Sequence, residues 1–231
     1  MFQFYKIETM IIISNKMQKH IYKMTEPTFF ENIINIAIFS MILYFAHIFK
    51  NKEDGCFHAS NRVTLGNGNY KSCDKIQRGD IVMMSNTKKG RIVCVVKLLK
   101  TQTNSIKLLQ FPCGLIVTGY HPICIKGHWD FPTNIQIYKE YNEPFDAVYS
   151  FLIEMEDGSN VDCGFFVENI ECAPLGHDMK GEIIGHQFFG NKELVKECLR
   201  TINDKQFEDG CVYVTGLERQ WGSVVGFICD L

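Results

Sequence analysis

At 231 residues, with 46% hydrophobic and 22% charged side chains, the chain can bury one good-sized core plus an appendage, and its composition excludes wholesale disorder. Its net charge of −2 excludes the strongly basic footprint of a nucleic-acid binder, so no nucleic acid is expected as a partner. From Met83 to Trp129 there is no Asp or Glu, while Lys88, Lys89, Arg91, Lys97, Lys100, Lys107 and Lys126 all lie there; this reads as a solvated basic face.

In chain order, residues 1–28 have no clear period. Phe29 to Phe49 follows as an apolar run whose one charge is Glu31, long enough for a helix that crosses a bilayer. Asn32, Asn35, Ser40 and His47 fall near one helical face, so the same segment also fits an amphipathic helix lying on a protein or a membrane. Residues 1–54 are therefore expected to carry an N-terminal apolar helix over 29–49, a membrane or signal anchor in one reading, which leaves the location open between membrane-anchored and cytoplasmic.

After the charged linker NKEDG the texture changes to short β-like runs. Strands are predicted over Arg62 to Leu65, Asp80 to Met84, Arg91 to Leu99, Ser105 to Phe111, Leu115 to Val117, Ile123 to Ile125, Ala147 to Met155 and Gly164 to Val167. Gly66-Asn67-Gly68 and Asp157-Gly158 have hairpin-turn chemistry. This spacing predicts a compact, mostly antiparallel β fold. Beyond Pro174 the period changes: Asn191 to Thr201 places Leu194, Val195, Cys198 and Leu199 on one face, a short helix capped by Asn191. The last residues, from Cys211 on, return to strand character.

The ten cysteines are spread from Cys56 to Cys229 without a C-x-x-C, so a zinc ribbon or a thioredoxin-like motif has no support. They read as small buried hydrophobes in a reducing compartment, in preference to a disulfide framework. Grouping Cys56, His58 and Cys73, or His121, Cys124 and His128, as a metal site lacks paired ligand spacing. No metal and no cofactor is expected.

Three features gain meaning from their order. Gly55-Cys56-Phe57 opens the β region, Ile76-Gln77-Arg78-Gly79-Asp80-Ile81-Val82 follows, and Thr118-Gly119-Tyr120-His121-Pro122 ends a later strand. That order resembles the hedgehog/intein, or Hint, family, whose domain begins with a Cys and carries an I-x-x-G-D-x-V segment and then a T-x-x-H. Gly127-His128-Trp129-Asp130-Phe131-Pro132, the string Phe166 to Cys172, Leu175-Gly176-His177 and Phe188-Phe189-Gly190 look like the Vint subgroup, Hint domains typically found beside a von Willebrand A domain. The resemblance covers roughly residues 55–231 and implies a Hint-type β fold over 55–174 with a small α/β extension over 175–231.

It also implies an activity with the chain as its own substrate. A thiolate is the strongest nucleophile available near neutral pH, and Cys56 Sγ can reach the Gly55 carbonyl through a five-membered ring. By resemblance, His121 protonates the departing amine and Thr118 hydrogen-bonds the scissile amide, so the catalytic set is Cys56, Thr118 and His121. Cys172, where hedgehog domains place a late thiol, and His58, two residues past the nucleophile, are auxiliary candidates; a core thiol and a solvated side chain are their plainer readings.

The chain departs from the family in two places. A splicing intein ends in His-Asn, and no such dipeptide occurs; Ala173-Pro174 stands at that position. The Asp base that hedgehog domains use for sterol transfer has no counterpart in the acid-free stretch. The expected outcome is a Gly55–Cys56 thioester resolved by water or a small nucleophile without splicing; the alternative is an inactive Hint-fold binding or structural module, tethered to a membrane in the anchor reading of residues 29–49.

Overall fold

The computed structural model describes residues 34–36, 55–85, 87–102, 104–220 and 222–229. The apolar segment 29–49 therefore lies outside the described residues apart from 34–36, which are helical. No helix among the described residues is long and apolar enough to cross a membrane.

The fold is mostly β. The larger sheet runs β10 (Lys139–Tyr141), β6 (Leu108–Gln110), β7 (Ile116–Thr118), β1 (Phe57–His58), β11 (Ala147–Met155), β5 (Lys89–Leu99) and β14 (Cys211–Val214), with β4 (Ile81–Met83) also paired to β5. A second sheet runs β3 (Tyr70–Ser72), β2 (Arg62–Thr64), β12 (Phe165–Val167), β13 (Ile170–Cys172), β8 (Ile123–Ile125) and β9 (His128–Asp130), and a separate hairpin joins β15 (Gly216–Gln220) to β16 (Ser223–Ile228).

Every candidate strand stretch carries a strand, and the long ones are the clearest. In β11 all but Glu154 are buried, as expected of a strand covered on both faces. The strands missed by pattern, β1, β3, β9, β10 and β13, have two or three residues each. A strand that short shows no alternation, and its conformation comes from its neighbours. Gly68, at φ 83°, makes the predicted turn between β2 and β3. Asp157-Gly158 also turns, with Gly158 at φ 73°, but it closes no hairpin, since β12 beyond it pairs with β2 and β13.

Two apolar clusters fill the interior. One gathers Phe57, Val63, Ile92, Phe151, Phe165 and Cys172; the other gathers Cys56, Val96, Leu108, Val148, Leu152 and Leu199. Successive strand residues point to opposite faces, which is why neighbours Cys56 and Phe57 fall in different clusters.

The C-terminal extension joins the same framework. Helix α1 (Lys192–Asp209) begins as predicted, with Asn191 Oδ1 accepting the Leu194 N–H at 3.0 Å. It runs past Thr201 because Asn203, non-helical at φ −161° and ψ 95°, restarts it by accepting the Gln206 N–H at 2.9 Å. Gly210 ends the helix in the left-handed region at φ 88°, and the chain returns as β14, parallel to β5. Arg78, in the second motif, donates to the Phe207 and Glu208 carbonyls at 3.0 and 2.7 Å. A guanidinium there satisfies carbonyls that the helix end leaves unpaired.

Candidate active site

Strand β1 lies between β7 and β11, with Phe57 opposite Val117 on one side and Tyr149 on the other. Each partner strand brings a hydroxyl to the Gly55–Cys56 peptide. From the end of β7, Thr118 Oγ1 accepts the Cys56 N–H at 2.9 Å, and the Thr118 N–H donates to the Cys56 carbonyl at 3.0 Å. From β11, Ser150 Oγ lies 2.5 Å from the Gly55 carbonyl oxygen and 3.2 Å from Cys56 Sγ. Cys56, Thr118 and Ser150 are all buried, at 7%, 2% and 3% exposure.

His121 completes the enclosure. Its N–H donates to the Thr118 carbonyl at 3.3 Å, the turn that links the two motif residues. Its ring lies 4.2 Å from the Phe57 ring between centroids, and Nδ1 would stand 3.3 Å from a Cβ placed on Gly55. A Cβ at Gly55 would press on the imidazole, which would have to give by a few tenths of an ångström, so glycine lets the ring approach closely here. Burial pushes the His121 pKa down to about 4, while backbone acceptors at Gly55 and Ala173 and the nearby His177 modify it in opposite senses. Neither ring nitrogen makes a hydrogen bond of ordinary geometry. A buried polar group so placed is costly, by about 1–3 kcal/mol, and such groups cluster where chemistry needs them.

The second motif has a supporting role. Gly79, at φ 89°, turns the chain so that its N–H donates to the Ile92 carbonyl. Asp80 accepts Lys71 Nζ at 2.6 Å and the Gln77 N–H at 2.8 Å. These contacts clamp the turn ahead of β4 to β3 on one side and to β5 on the other.

The auxiliary candidates are both buried. His58 is 8% exposed, which corrects the reading of it as solvated: β1 lies between β7 and β11 and is covered on both faces, so His58 is enclosed as Phe57 is. There it holds Ser60 Oγ at 2.8 Å through Nδ1 and packs on Tyr141, and burial, partly opposed by Asp74, lowers its pKa. Cys172 belongs to the cluster of Phe57, not to that of Cys56. Its thiol points to the Ile170 carbonyl at 3.4 Å, and burial raises its pKa well above the usual thiol range. No disulfide joins any of the ten cysteines, all of which lie among the described residues. Among the described residues, no group of three or more His, Cys, Asp or Glu is arranged to hold a metal.

Sequence reasoning missed Ser150. Its signal was present: a small hydroxyl side chain in the otherwise aliphatic and aromatic run Ala147 to Ile153, where a buried polar side chain needs a partner.

The family model described as a Hint-domain, Vint, matches residues 55–229. The chain belongs to the Vint family of Hint domains. The Vint domain is also similar to solved inteins. A gp41-1 intein is 19% identical at a TM-score of 0.34, covering 52% of this chain and 98% of its own. A DnaB intein from Synechocystis sp. PCC 6803 is 11% identical at 0.33, covering 52% and 99%. The splicing domain of the Msm DnaB1 intein, solved bound with zinc, is 11% identical at 0.36, covering 50% and 98%. Likeness at that level carries no argument of its own, and membership rests on the family match. No protein of curated function matches the Vint domain in sequence.

Proposed function

We propose that this domain cuts its own chain at Gly55–Cys56 by an N-to-S acyl shift. Membership of the Hint family supports self-processing in general. The observation that carries the specific reading is the convergence of Thr118 and His121 on the peptide bond that precedes the buried Cys56: Thr118 Oγ1 holds the Cys56 N–H at 2.9 Å, and His121 lies against Gly55.

Cys56 Sγ adds to the Gly55 carbonyl carbon, and the C–N bond then breaks to leave a thioester and a free amine on Cys56. Attack from the adjacent residue has the advantage of an intramolecular reaction. Thr118 orients the amide so that its nitrogen can pyramidalise as it gains a proton. His121 delivers that proton. With its pKa pushed down to about 4 the ring is neutral near pH 7, so the proton it gives is one it first takes up from the addition intermediate. The residue at the place of an intein's terminal Asn is Pro174, which has no side-chain amide to cyclise. The thioester is therefore resolved by water or a small nucleophile, without splicing.

The test uses the full chain with an N-terminal tag. Hydroxylamine or dithiothreitol is expected to release the tagged segment at Gly55 in the wild type and not in Cys56→Ala. An intact wild-type chain, indifferent to either reagent, identifies a Hint-fold module without activity and rejects the proposal.

A further inference from the structure

Resting on the autoprocessing reading, we infer that Ser150 is a catalytic residue of the acyl shift, relaying the Cys56 thiol proton to the Gly55 carbonyl oxygen. Three observations converge on it. Strand register places it there: Tyr149 stands opposite Phe57 and Val148 opposite His58, so the next antiparallel step sets Ser150 beside Cys56. Its hydroxyl oxygen touches both reacting atoms, the carbonyl oxygen at 2.5 Å and the sulfur at 3.2 Å. It is also a buried hydroxyl on a strand whose next three residues, Phe151, Leu152 and Ile153, are apolar and fully enclosed.

The hydroxyl has one proton and two lone pairs. With the proton directed at the Gly55 oxygen, a lone pair faces the thiol, giving the chain S–H···O–H···O=C. When Sγ bonds to the carbonyl carbon, the S–H bond breaks and its proton moves to Ser150 Oγ. The proton that Ser150 carried moves to the Gly55 oxygen, which has received the carbonyl π pair. Ser150 ends as it began, and the adduct is a neutral carbinol bearing sulfur and nitrogen. In the second half, His121 takes the carbinol proton and passes it to the Cys56 nitrogen as the C–N bond breaks and the carbonyl re-forms. The net movement is one proton from sulfur to nitrogen.

A neutral adduct suits the surroundings. An oxyanion or a thiolate enclosed by apolar side chains is heavily penalised, and a preplaced donor removes that penalty without reorganisation. The two proton-handling side chains also belong to different sides of the strand. Cys56 and Ser150 meet on the face that carries Val96 and Val148, while the His121 ring packs at a tilt against Phe57, which belongs to the other cluster.

The experiment measures the rate of hydroxylamine-induced release from the tagged full chain, with each variant's fold checked by circular dichroism. Ser150→Ala is expected to slow release by about 10²–10³-fold, the usual effect of losing one preorganised donor at a developing oxyanion. Ser150→Thr, which keeps the hydroxyl, recovers most of the rate. Ser150→Cys nearly preserves volume but offers only a weak donor; it is expected to be slow, and it carries the test if the alanine variant does not fold. Carbon-13 at the Gly55 carbonyl gives a second readout: its amide I band should lie lower in the wild type than in Ser150→Cys. An active wild type matched in rate by both Ser150→Ala and Ser150→Cys overturns the relay and leaves autoprocessing standing. A wild type that never cleaves overturns both.

Discussion

The Cys56 N–H and Thr118 Oγ1 meet at 2.9 Å across 62 residues of chain. This bond links the residue after the scissile carbonyl to the first member of the T-x-x-H motif, and the backbone pair from Thr118 N–H to the Cys56 carbonyl reinforces it. The threonine is thus built into the ladder between β1 and β7, and only its side-chain oxygen is available to be lost by mutation.

Thr118→Val keeps the shape and removes the acceptor. The Cys56 N–H is then buried with its side-chain partner gone, a cost of about 1–3 kcal/mol. Release at Gly55–Cys56 is expected to slow by roughly one to two powers of ten, while Thr118→Ser stays near the wild type. Rates measured with dithiothreitol decide it, and a valine variant as fast as the wild type removes Thr118 from the mechanism.

His121 and His177 both have pKa values pushed down to about 4, from an ordinary 6.5, chiefly by burial. The unfolded chain therefore binds more protons than the folded one between those values, and stability rises with pH there. The contribution is complete above about pH 6.5 and is lost as pH falls toward 4, by roughly 3 kcal/mol for each ring. Urea melts at pH 7.5 and 5 should show the acid loss, and His177→Gln should reduce it. A midpoint that does not move between the two pH values contradicts this account.

Arg78 caps the C-terminal end of α1 through the Phe207 and Glu208 carbonyls. Because the arginine is partly exposed, Arg78→Ala is expected to cost only about 1 kcal/mol, with faster amide exchange at 207–210. Gly210→Ala should cost more. Its φ is 88°, and a Cβ there would stand 2.3 Å from that of Arg78. Exchange confined to the amides of β15 and β16, with 207–210 unchanged, would show that the cap does not hold the helix end.

Cys172 sits fully buried in the cluster of Phe57 and Phe165. Cys172→Ala should destabilise the domain by about 1–2 kcal/mol through the void it leaves. Release at Gly55–Cys56 is expected to keep its wild-type rate. If that rate collapses while the thermal midpoint barely moves, Cys172 takes part in the chemistry after all.

Much of the fold was legible in local pattern. The long strands β5 and β11 announce themselves by apolar runs longer than any turn allows, and the start of α1 by Asn191 and a helical period. The end of α1 was not legible, because the polar run after Thr201 has no apolar stripe and depends on Asn203 to restart the helix. The short strands were not either, since two or three residues carry no period.

The site divides in the same way. Sequence alone singled out Gly55-Cys56 and the T-x-x-H pair, because those residues are adjacent or one turn apart and their order along the chain is itself the signal. Only the tertiary structure decided that Ser150, 94 residues from Cys56, touches its sulfur, that His58 faces inward, and that Cys172 lies in a different cluster from the nucleophile. Those facts depend on which strands pair and in what register, and a shift of one residue would turn every one of these side chains to the opposite face. Register is set by burial summed over the whole sheet, and no single stretch of the chain contains that sum.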